Sequence, residues 1–292
     1  MPPDHVSRED MELWRRPETV RYAYADGPHG LLHYRLVRPA ASDHLPMLVF
    51  HQSGSSGRCY ERLAADLGRD RVVAVMDSPG FGASDPVAHP ALIPDFVTAA
   101  IALADHLGLQ HVDLFGDHTG AATAIEMALQ QPQRVRRVVL NAAPLFTAEE
   151  LTRLRSRDRE VEACDAEGRH ITMRWEWRRR NMAAAPVVLR EMELVEALRS
   201  GPFAGHGHHA AFAYDWAANL SRMIHPLLVL RARDDLWEQT GRAKPLLKNG
   251  HMVDLPDMGR EMIMVHHARI AALMREFLDP ECIATDASPG GT

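Results

Sequence analysis

The feature that most constrains the fold of this chain is a repeated alternation of short apolar runs with longer stretches of helical periodicity. A continuous apolar run of this length is typical of a strand that is covered on both faces. Strands that alternate with helices predict βαβ units and a mostly parallel sheet with helices on both sides, which is the α/β class. The apolar runs are PMLVFH (46–51), RVVAVMD (71–77), HVDLFG (111–116), RVRRVVLNAAP (134–144), PLLVLRA (226–232) and HMVDLP (251–256).

Three segments depart from this alternation. Residues 20–37 alternate apolar and polar around Asp26-Gly27-Pro28, which predicts a β-hairpin. Residues 147–222 are charged, rich in Trp and Met and helical in period, which predicts a helical cap inserted into the core. The segment 262–278 predicts one closing amphipathic helix. The predicted domains are a core at 20–146 and 223–278, the cap at 147–222, and partly disordered extensions at 1–19 and 279–292.

Composition and charge exclude several classes of function. The net charge of −6 and the absence of long basic runs argue against nucleic acid or an anionic membrane surface as a partner. The 3 cysteines form no CxxC pair, which favours a reducing compartment. No signal peptide and no apolar run of the roughly 20 residues that span a membrane is present. We therefore predict a cytoplasmic protein.

The stretch LFGDHTGAATAIEMA (114–128) has the pattern of a tight turn between a strand and a helix. Gly116 and Gly120 frame His118 and supply the small residues that such a close crossing needs. A turn of this kind projects its central side chain into the pocket at the carboxyl end of the sheet. The backbone N–H of the next residue, Thr119, points to where an oxyanion would form.

Several motifs together resemble the α/β-hydrolase superfamily over roughly residues 20–278. PMLVFHQSGSSGRCYERLAADL is similar to the third strand, oxyanion loop and first helix of that family, with His51-Gln52 where His-Gly is usual. VMDSPGFGASDP is similar to its D-x-x-G-x-G-x-S loop, in which we expect Asp77 and Ser84 to shape the turn. PLLVLRARDD resembles the strand that delivers the catalytic acid, and VDLPDMGREM the stretch that delivers the catalytic histidine.

The resemblance implies a catalytic triad in which two of the three residues are replaced. His118 stands at the position of the serine nucleophile, Asp235 at that of the acid, and Arg260 at that of the general-base histidine. A one-residue shift of the alignment restores neither replaced residue, because the turn contains no Ser, Cys or Asp other than Asp117. The fold implied is the α/β-hydrolase fold, and hydrolysis is the activity that the family implies.

The residues themselves favour acid/base chemistry over serine acyl transfer. An imidazole is an effective acid or base near neutral pH. We expect Asp235 to hydrogen-bond His118 and to fix its tautomer. Arg260 has two competing roles: it pairs with Asp235, or it faces the pocket and binds an anionic substrate group. The backbone of Thr119, Gln52 and Ser53 would form the oxyanion hole.

Other polar residues near these motifs are weaker candidates. Asp117 and His51 are predicted to contact substrate, although Asp117 also fits a residue bonded to its neighbours. The stretch GHGHHA (205–210) carries three histidines, but it lacks a carboxylate or cysteine at ligand spacing. We interpret it as a mobile loop of the cap and predict no metal site.

The predicted function is a cofactor-free enzyme that acts on a small apolar carbonyl, ester or carboxylate compound through acid/base chemistry of His118 and Asp235. The reactions that remain open are proton abstraction next to a carbonyl, elimination, C–C cleavage, and hydrolysis either by water that His118 activates or through an acyl-imidazole on His118. The alternative is a ligand-binding or partner protein that retains the fold without catalysis. A small molecule is the expected partner, and the sequence is also compatible with a homodimer.

Overall fold

A computed structural model describes residues 7–162 and 164–280 of the chain, without the side chains of 157–162. One sheet of eight strands forms its centre, in the order β1-β2-β4-β3-β5-β6-β7-β8. The strands are β1 (Arg21–Gly27), β2 (Gly30–Val37), β3 (Met47–Phe50), β4 (Val73–Met76), β5 (Val112–Asp117), β6 (Val135–Asn141), β7 (Leu227–Ala232) and β8 (Gly250–Leu255).

The helices flank this sheet and also form the segment between β6 and β7. None of the helices in the described part of the chain combines the length and apolar character that a membrane span requires. The α-helices are α1 (Arg8–Trp14), α2 (Glu61–Leu67), α3 (Ile93–His106), α4 (Thr119–Gln130), α5 (Ala148–Glu162), α6 (Arg169–Asn181), α7 (Val187–Arg199), α8 (Gly205–Ala213), α9 (Trp216–Arg222), α10 (Trp237–Gly241), α11 (Met262–Val265) and α12 (His267–Leu278).

The sheet is parallel from β4 to β8, and the β1–β2 hairpin pairs antiparallel at one edge. This topology is the α/β-hydrolase fold, and it confirms the predicted fold class. The carboxyl ends of β5, β6 and β7 lie side by side because these strands are parallel neighbours. Loops that follow those strands therefore converge on one edge of the sheet, where ligands bind in open α/β sheets.

Strands β3 and β4 are apolar throughout because both of their faces are covered. In β3, Leu48 and Phe50 pack into the core on one side of the sheet, and Met47 and Val49 pack into the core on the other. All four side chains are at most 1% exposed. Successive side chains of a strand point to opposite faces, so a run without polar residues is what a doubly covered strand requires.

Two sequence-based predictions of local structure are wrong. The closing segment 262–278 is two helices, α11 and α12, because His266 between them adopts φ −108° and ψ 24°, which is outside the helical region. The histidine-rich stretch GHGHHA lies in helix α8 and is not a loop. Its glycines weaken the helical pattern in the sequence, and the packing of α8 against the core outweighs them.

The loop after β4 is built around one buried carboxylate. Asp77 accepts hydrogen bonds from Arg35 Nη1 at 2.5 Å, His33 Nδ1 at 2.8 Å, and the backbone N–H groups of Gly57 and Ala83 at 2.8 and 3.0 Å. Burial opposes the charge of Asp77, but Arg35, His33 and His51 together outweigh burial and lower its pKa.

The same loop explains the D-x-x-G-x-G-x-S pattern. Gly82 has φ +57°, and a Cβ at that position would lie 1.9 Å from Asp77 Oδ2, so glycine is required. The hydroxyl of Ser84 donates to the Asp77 carbonyl at 2.7 Å and accepts from His33 N at 2.9 Å. Asp77 and Ser84 therefore hold the loop in place, as the sequence predicted.

Candidate active site

The turn that carries His118 joins β5 directly to α4. His118 has φ 50° and ψ −109°, a backbone conformation that a non-glycine residue rarely adopts. Such strain costs on the order of 1–3 kcal/mol and persists where the surrounding structure enforces it. A Cβ at Gly116 would lie 2.3 Å from Gly120 O, and one at Gly120 would lie 2.1 Å from Phe50 O. The glycines therefore allow the close crossing that the sequence predicted.

Both ring nitrogens of His118 face charged residues. Its Nε2 lies 3.0 Å from Asp234 Oδ2 and 3.7 Å from Asp117 Oδ1. Its Nδ1 lies 3.5 Å from Arg260 Nη1. Because carboxylates only accept and a guanidinium only donates, these neighbours favour the tautomer with the proton on Nε2 and the lone pair on Nδ1.

The carboxylate that bonds His118 is Asp234, and the predicted contact with Asp235 is wrong. Asp234 follows β7 directly, and its side chain is 3% exposed. Its other oxygen accepts from Leu236 N at 2.8 Å, which fixes its orientation toward the turn. Asp235 points away to Arg260, and its side chain is 32% exposed. Two adjacent acids at a bend point in different directions, and the sequence does not decide which one faces the histidine.

Arg260 pairs with Asp235, which is the first of the two roles that the sequence left open, and it also faces the cavity, as the second role requires. Its Nη1 donates to Asp235 Oδ1 at 2.7 Å, and its guanidinium carbon lies 4.7 Å from the ring centre of Trp177. It also lines the cavity beside His118. Burial opposes the charge of Arg260, but the nearby carboxylates of Asp235, Asp234, Glu193 and Asp117 together outweigh burial and raise its pKa above the usual value. Arg260 is therefore a permanent cation.

These contacts preserve the triad's order in space with different residue types. In a Ser-His-Asp triad the base bonds both the acid and the nucleophile. Here Arg260 contacts Asp235 at 2.7 Å and His118 at 3.5 Å, so it occupies the middle place. An arginine there is a fixed donor that takes no proton from its neighbour, because its pKa lies far above neutrality.

Only two of the three residues that were predicted to form the oxyanion hole line the cavity. Ser53 and Thr119 line the cavity, and their hydroxyl oxygens lie 2.6 Å apart. Thr119 begins helix α4, so its N–H has no acceptor within that helix. The Gln52 N–H instead donates to Tyr60 Oη at 3.1 Å. That bond occupies the N–H, so the prediction that Gln52 contributes to the oxyanion hole is not supported by the structure.

The two weaker candidates for substrate contact lie outside the cavity wall. His51 Nε2 accepts from Ser78 N at 2.9 Å and its Nδ1 donates to Gln52 O at 2.7 Å, so the ring supports two loops. Burial lowers the pKa of His51 and keeps the ring neutral. Asp117 accepts from Tyr60 Oη at 2.5 Å and Asn141 Nδ2 at 2.8 Å. These bonds hold both side chains below the turn, away from a ligand.

The side chain of Gln52 connects the core to the helices between β6 and β7. Where glycine is usual, its Nε2 donates to Glu193 Oε1 of α7 at 3.0 Å. Ser56 makes a second bond to the same helix, to Glu196 Oε2 at 2.7 Å. These bonds hold the loop 52–56, which we call the oxyanion loop, against α7, and the contact of Ser53 with Thr119 holds it against the turn at His118.

A cavity of about 490 Å³ lies between the carboxyl edge of the sheet and the helices α5–α8. Its walls are mainly apolar and include Phe146, Trp177, Phe212 and Trp216. His118, Thr119, Asp235 and Arg260 lie together at one part of the wall. The volume and the small polar cluster are typical of a site for a small organic molecule.

Sequence reasoning missed the charged residues that the inserted helices bring to this cavity. Arg178 of α6 and Glu193 of α7 form a buried ion pair with an N–O distance of 2.8 Å, and both line the cavity. Their spacing in α6 and α7 carries no motif, and only the burial of two opposite charges would have marked them. Across residues 7–162 and 164–280, no group of three His, Cys, Asp or Glu side chains is arranged to hold a metal ion.

Comparison with known proteins places the chain by its core. The family model described as the alpha/beta hydrolase fold matches residues 46–245, which is more than half of the chain. This chain belongs to the alpha/beta hydrolase family. The matched region runs from β3 through the turn at His118 and the inserted helices to β7 and α10.

Curated relatives match the chain over shorter segments. The chain is 41% identical over 69 residues to 2-hydroxy-6-oxononadienedioate/2-hydroxy-6-oxononatrienedioate hydrolase 2 of Pseudomonas putida, which covers 23% of this chain and 24% of the relative. It is 32% identical over 127 residues to 2-hydroxymuconate semialdehyde hydrolase of Pseudomonas putida, covering 42% and 43%. The chain thus matches less than half the length of these relatives.

Solved structures resemble the whole fold. An esterase from Exiguobacterium antarcticum has a TM-score of 0.76 at 12% identity, covering 88% of this chain and 99% of that one. An enol-lactonase from Burkholderia xenovorans has a TM-score of 0.70 at 19% identity, with the same coverage of 88% and 99%. At these identities the likeness shows the shared fold alone.

Proposed function

We propose that the protein is an acid/base enzyme of the hydrolase superfamily in which His118, oriented by Asp234, acts on a small carbonyl compound. The observation that carries the proposal is the 3.0 Å contact from His118 Nε2 to Asp234 at the strained turn beside the cavity. It leaves Nδ1 as the basic atom. The Nδ1 contact with Arg260 is 3.5 Å, longer than an ordinary hydrogen bond, so a substrate can displace it.

The reaction that this arrangement favours begins with removal of a proton next to a carbonyl group. His118 Nδ1 takes the proton, and the electron pair of the broken C–H bond forms the enolate. Ser53 and Thr119 line the cavity beside His118, and in this proposal their N–H groups stabilise the enolate oxygen. The imidazolium then returns a proton to carbon or to a leaving group. The relatives named as hydrolases act on oxo- and semialdehyde compounds, which supports a carbonyl substrate here.

Proton exchange in D₂O tests this proposal without knowledge of the natural product. The probes are 2-oxo-4-phenylbutanoate and neutral 4-phenyl-2-butanone, and NMR measures deuterium entry beside the carbonyl. We expect the native protein to exceed the His118→Ala variant by about 100-fold or more, the usual contribution of a positioned base. Equal rates in the two proteins would refute the proposal.

A second candidate function is ligand binding without catalysis. It is favoured by the contacts of both His118 nitrogens and by the replacement of the usual serine hydroxyl at position 118 with an imidazole. A binding protein would bind the same probes and exchange no protons in either form. Proton exchange separates the two functions: an enzyme loses exchange in His118→Ala, whereas a binding protein shows none in either form. Calorimetry checks that His118→Ala retains its affinity for the probes.

A further inference from the structure

We infer that the cavity takes an amphipathic carboxylic acid whose carboxylate binds Arg260 next to His118. The inference deepens the proposed function by naming a substrate class for the same site. It starts from the charges that line the cavity in the described part of the chain. These are the four arginines Arg174, Arg178, Arg180 and Arg260 and the three acids Glu176, Glu193 and Asp235.

Each of these acids already has an arginine partner. Glu193 pairs with Arg178 at 2.8 Å, and Asp235 pairs with Arg260 at 2.7 Å. Glu176 pairs with Arg179, which lies outside the cavity wall, also at 2.8 Å. The three carboxylates of the cavity wall are therefore already engaged by arginines. A ligand with an ammonium group would have to compete for them, whereas a ligand with a carboxylate can use arginine donors that face the cavity.

Arg260 is the arginine best placed to receive the carboxylate. Its side chain is only 10% exposed. Among the described residues, its contacts with His118 and Asp235 both involve Nη1. The donors of Nη2 remain for a ligand, and Trp177 holds one face of the guanidinium. Arg178, by contrast, donates a hydrogen bond to Arg174 O at 3.0 Å and forms an ion pair with Glu193. Arg180 is exposed at the rim.

The position of Arg260 also determines which part of the ligand reacts. Arg260 Nη1 and His118 Nδ1 are 3.5 Å apart, so an anion held on Nη2 brings its neighbouring carbon atoms close to the imidazole. The remainder of the ligand then extends along the aromatic walls formed by Phe146, Phe212 and Trp216. The expected ligand is thus an apolar acid whose reactive carbonyl lies near its carboxylate.

Calorimetric titration with pairs of acids and amides tests the inference. The probes are 3-phenylpropanoate, 4-phenylbutanoate, 5-phenylpentanoate and 2-naphthylacetate, each paired with its primary amide. We expect at least one acid to bind the native protein about tenfold or more tightly than its amide. The double variant Arg260→Gln/Asp235→Asn removes the ion pair as a unit and leaves the net charge unchanged. Its acid-to-amide ratio should fall to within about twofold.

Matched variants identify the residue responsible. Arg180→Gln removes a cavity arginine at the rim and should keep the native ratio. If the double variant does not fold, Arg260→Lys serves instead: it keeps the charge without the Nη2 donors, and the ratio should fall at least threefold. Equal binding of acids and amides, no saturable binding of any acid, or an unchanged ratio in the Arg260 variants would overturn the inference. His118→Ala should keep the acid preference, so a failure of the proposed catalysis leaves this result readable.

Discussion

At the scale of single residues, the contacts among Asp235, Arg260 and His118 follow the order of a hydrolase triad, with different residue types at two of the three places. Arg260 bridges Asp235 and His118 as a base histidine would, yet it cannot accept a proton. His118 is a titratable group in place of a hydroxyl, and it has its own carboxylate in Asp234. In the function that we propose, the base therefore lies at the turn and not in the middle of the triad.

Substitution of two residues should restore a serine nucleophile that a histidine activates. In the double variant His118→Ser/Arg260→His, the histidine lies between Asp235 and the new hydroxyl and can activate it. We expect a fluorophosphonate probe to label this variant about 100-fold faster than His118→Ser alone, the usual effect of a general base. Mass spectrometry of the labelled peptide measures both rates.

The native protein is the reference for that experiment and should not be labelled. Stoichiometric labelling of the native chain at Ser53 or Thr119, which share a 2.6 Å contact in the cavity, would show that one of these hydroxyls is a nucleophile. Equal labelling of the single and double variants would show that residue 260 does not reach the turn in an activating geometry.

At the scale of elements, helix α8 packs closely against Ser53 of the oxyanion loop. A Cβ at Gly207 would lie 2.1 Å from Ser53 Oγ, 2.9 Å from Ser53 Cβ and 3.0 Å from Phe81 Cζ. Ser53 in turn bonds Thr119 at the start of α4. The glycine that weakens α8 as a helix is therefore what permits its close approach to the site.

The substitution Gly207→Ala has two opposing effects on stability: it favours helix formation by α8, and it disturbs the packing of α8 against the oxyanion loop. Helix propensity alone favours alanine by about 1 kcal/mol, whereas overpacking against Ser53 and Phe81 costs about 1–3 kcal/mol. We expect the free energy of unfolding, measured with urea, to fall. His209→Ala in the same helix controls for changes in α8 itself. A stabilised Gly207→Ala variant would show that α8 does not rest on the oxyanion loop.

The elements were more predictable from sequence than the contacts between them. The apolar runs predicted β3 to β8, although β8 at the sheet edge is only partly buried, and the two glycines predicted the turn at His118 because only small residues fit there. The choice between Asp234 and Asp235 depends on the direction of one bend, which adjacent identical residues cannot encode. The ion pair of Arg178 and Glu193 depends on the packing of α6 against α7.

At the scale of the whole molecule, the carboxylate of Asp77 joins the edge hairpin to the centre of the core. It bonds Arg35 and His33 of β2 and the backbone of the two loops that follow β3 and β4. Its side chain and that of Arg35 are at most 3% exposed. Loss of either partner would leave a buried charge uncompensated, which is among the costliest single changes in a protein.

Acid should destabilise the protein partly through Asp77. Because its folded pKa is lowered, the carboxylate contributes stability above the unfolded pKa of about 3.9, and that stability is lost as the pH falls further. We expect Asp77→Asn to cost about 3–5 kcal/mol at pH 7 and to lose less additional stability than the native protein between pH 4 and pH 3. Urea unfolding across this range measures both effects.

Asp257→Asn serves as the control, since that carboxylate pairs with Arg269 at the surface, where both side chains are more than half exposed. It should leave the unfolding midpoint nearly unchanged at both pH values. A small effect of Asp77→Asn at pH 7, comparable to that of the surface variant, would contradict the central place that we give to Asp77.

The most direct test of the account is the tautomer of His118, read from ¹⁵N–¹H NMR of histidine-labelled protein and assigned with His118→Gln. The contact with Asp234 predicts the proton on Nε2 and the lone pair on Nδ1 in the native protein. Asp234→Asn should alter this spectrum, and Asp235→Asn should leave it essentially unchanged. A native ring protonated on Nδ1 alone, or a ring that responds to Asp235→Asn and not to Asp234→Asn, would contradict the proposal that Asp234 orients His118 for acid/base chemistry.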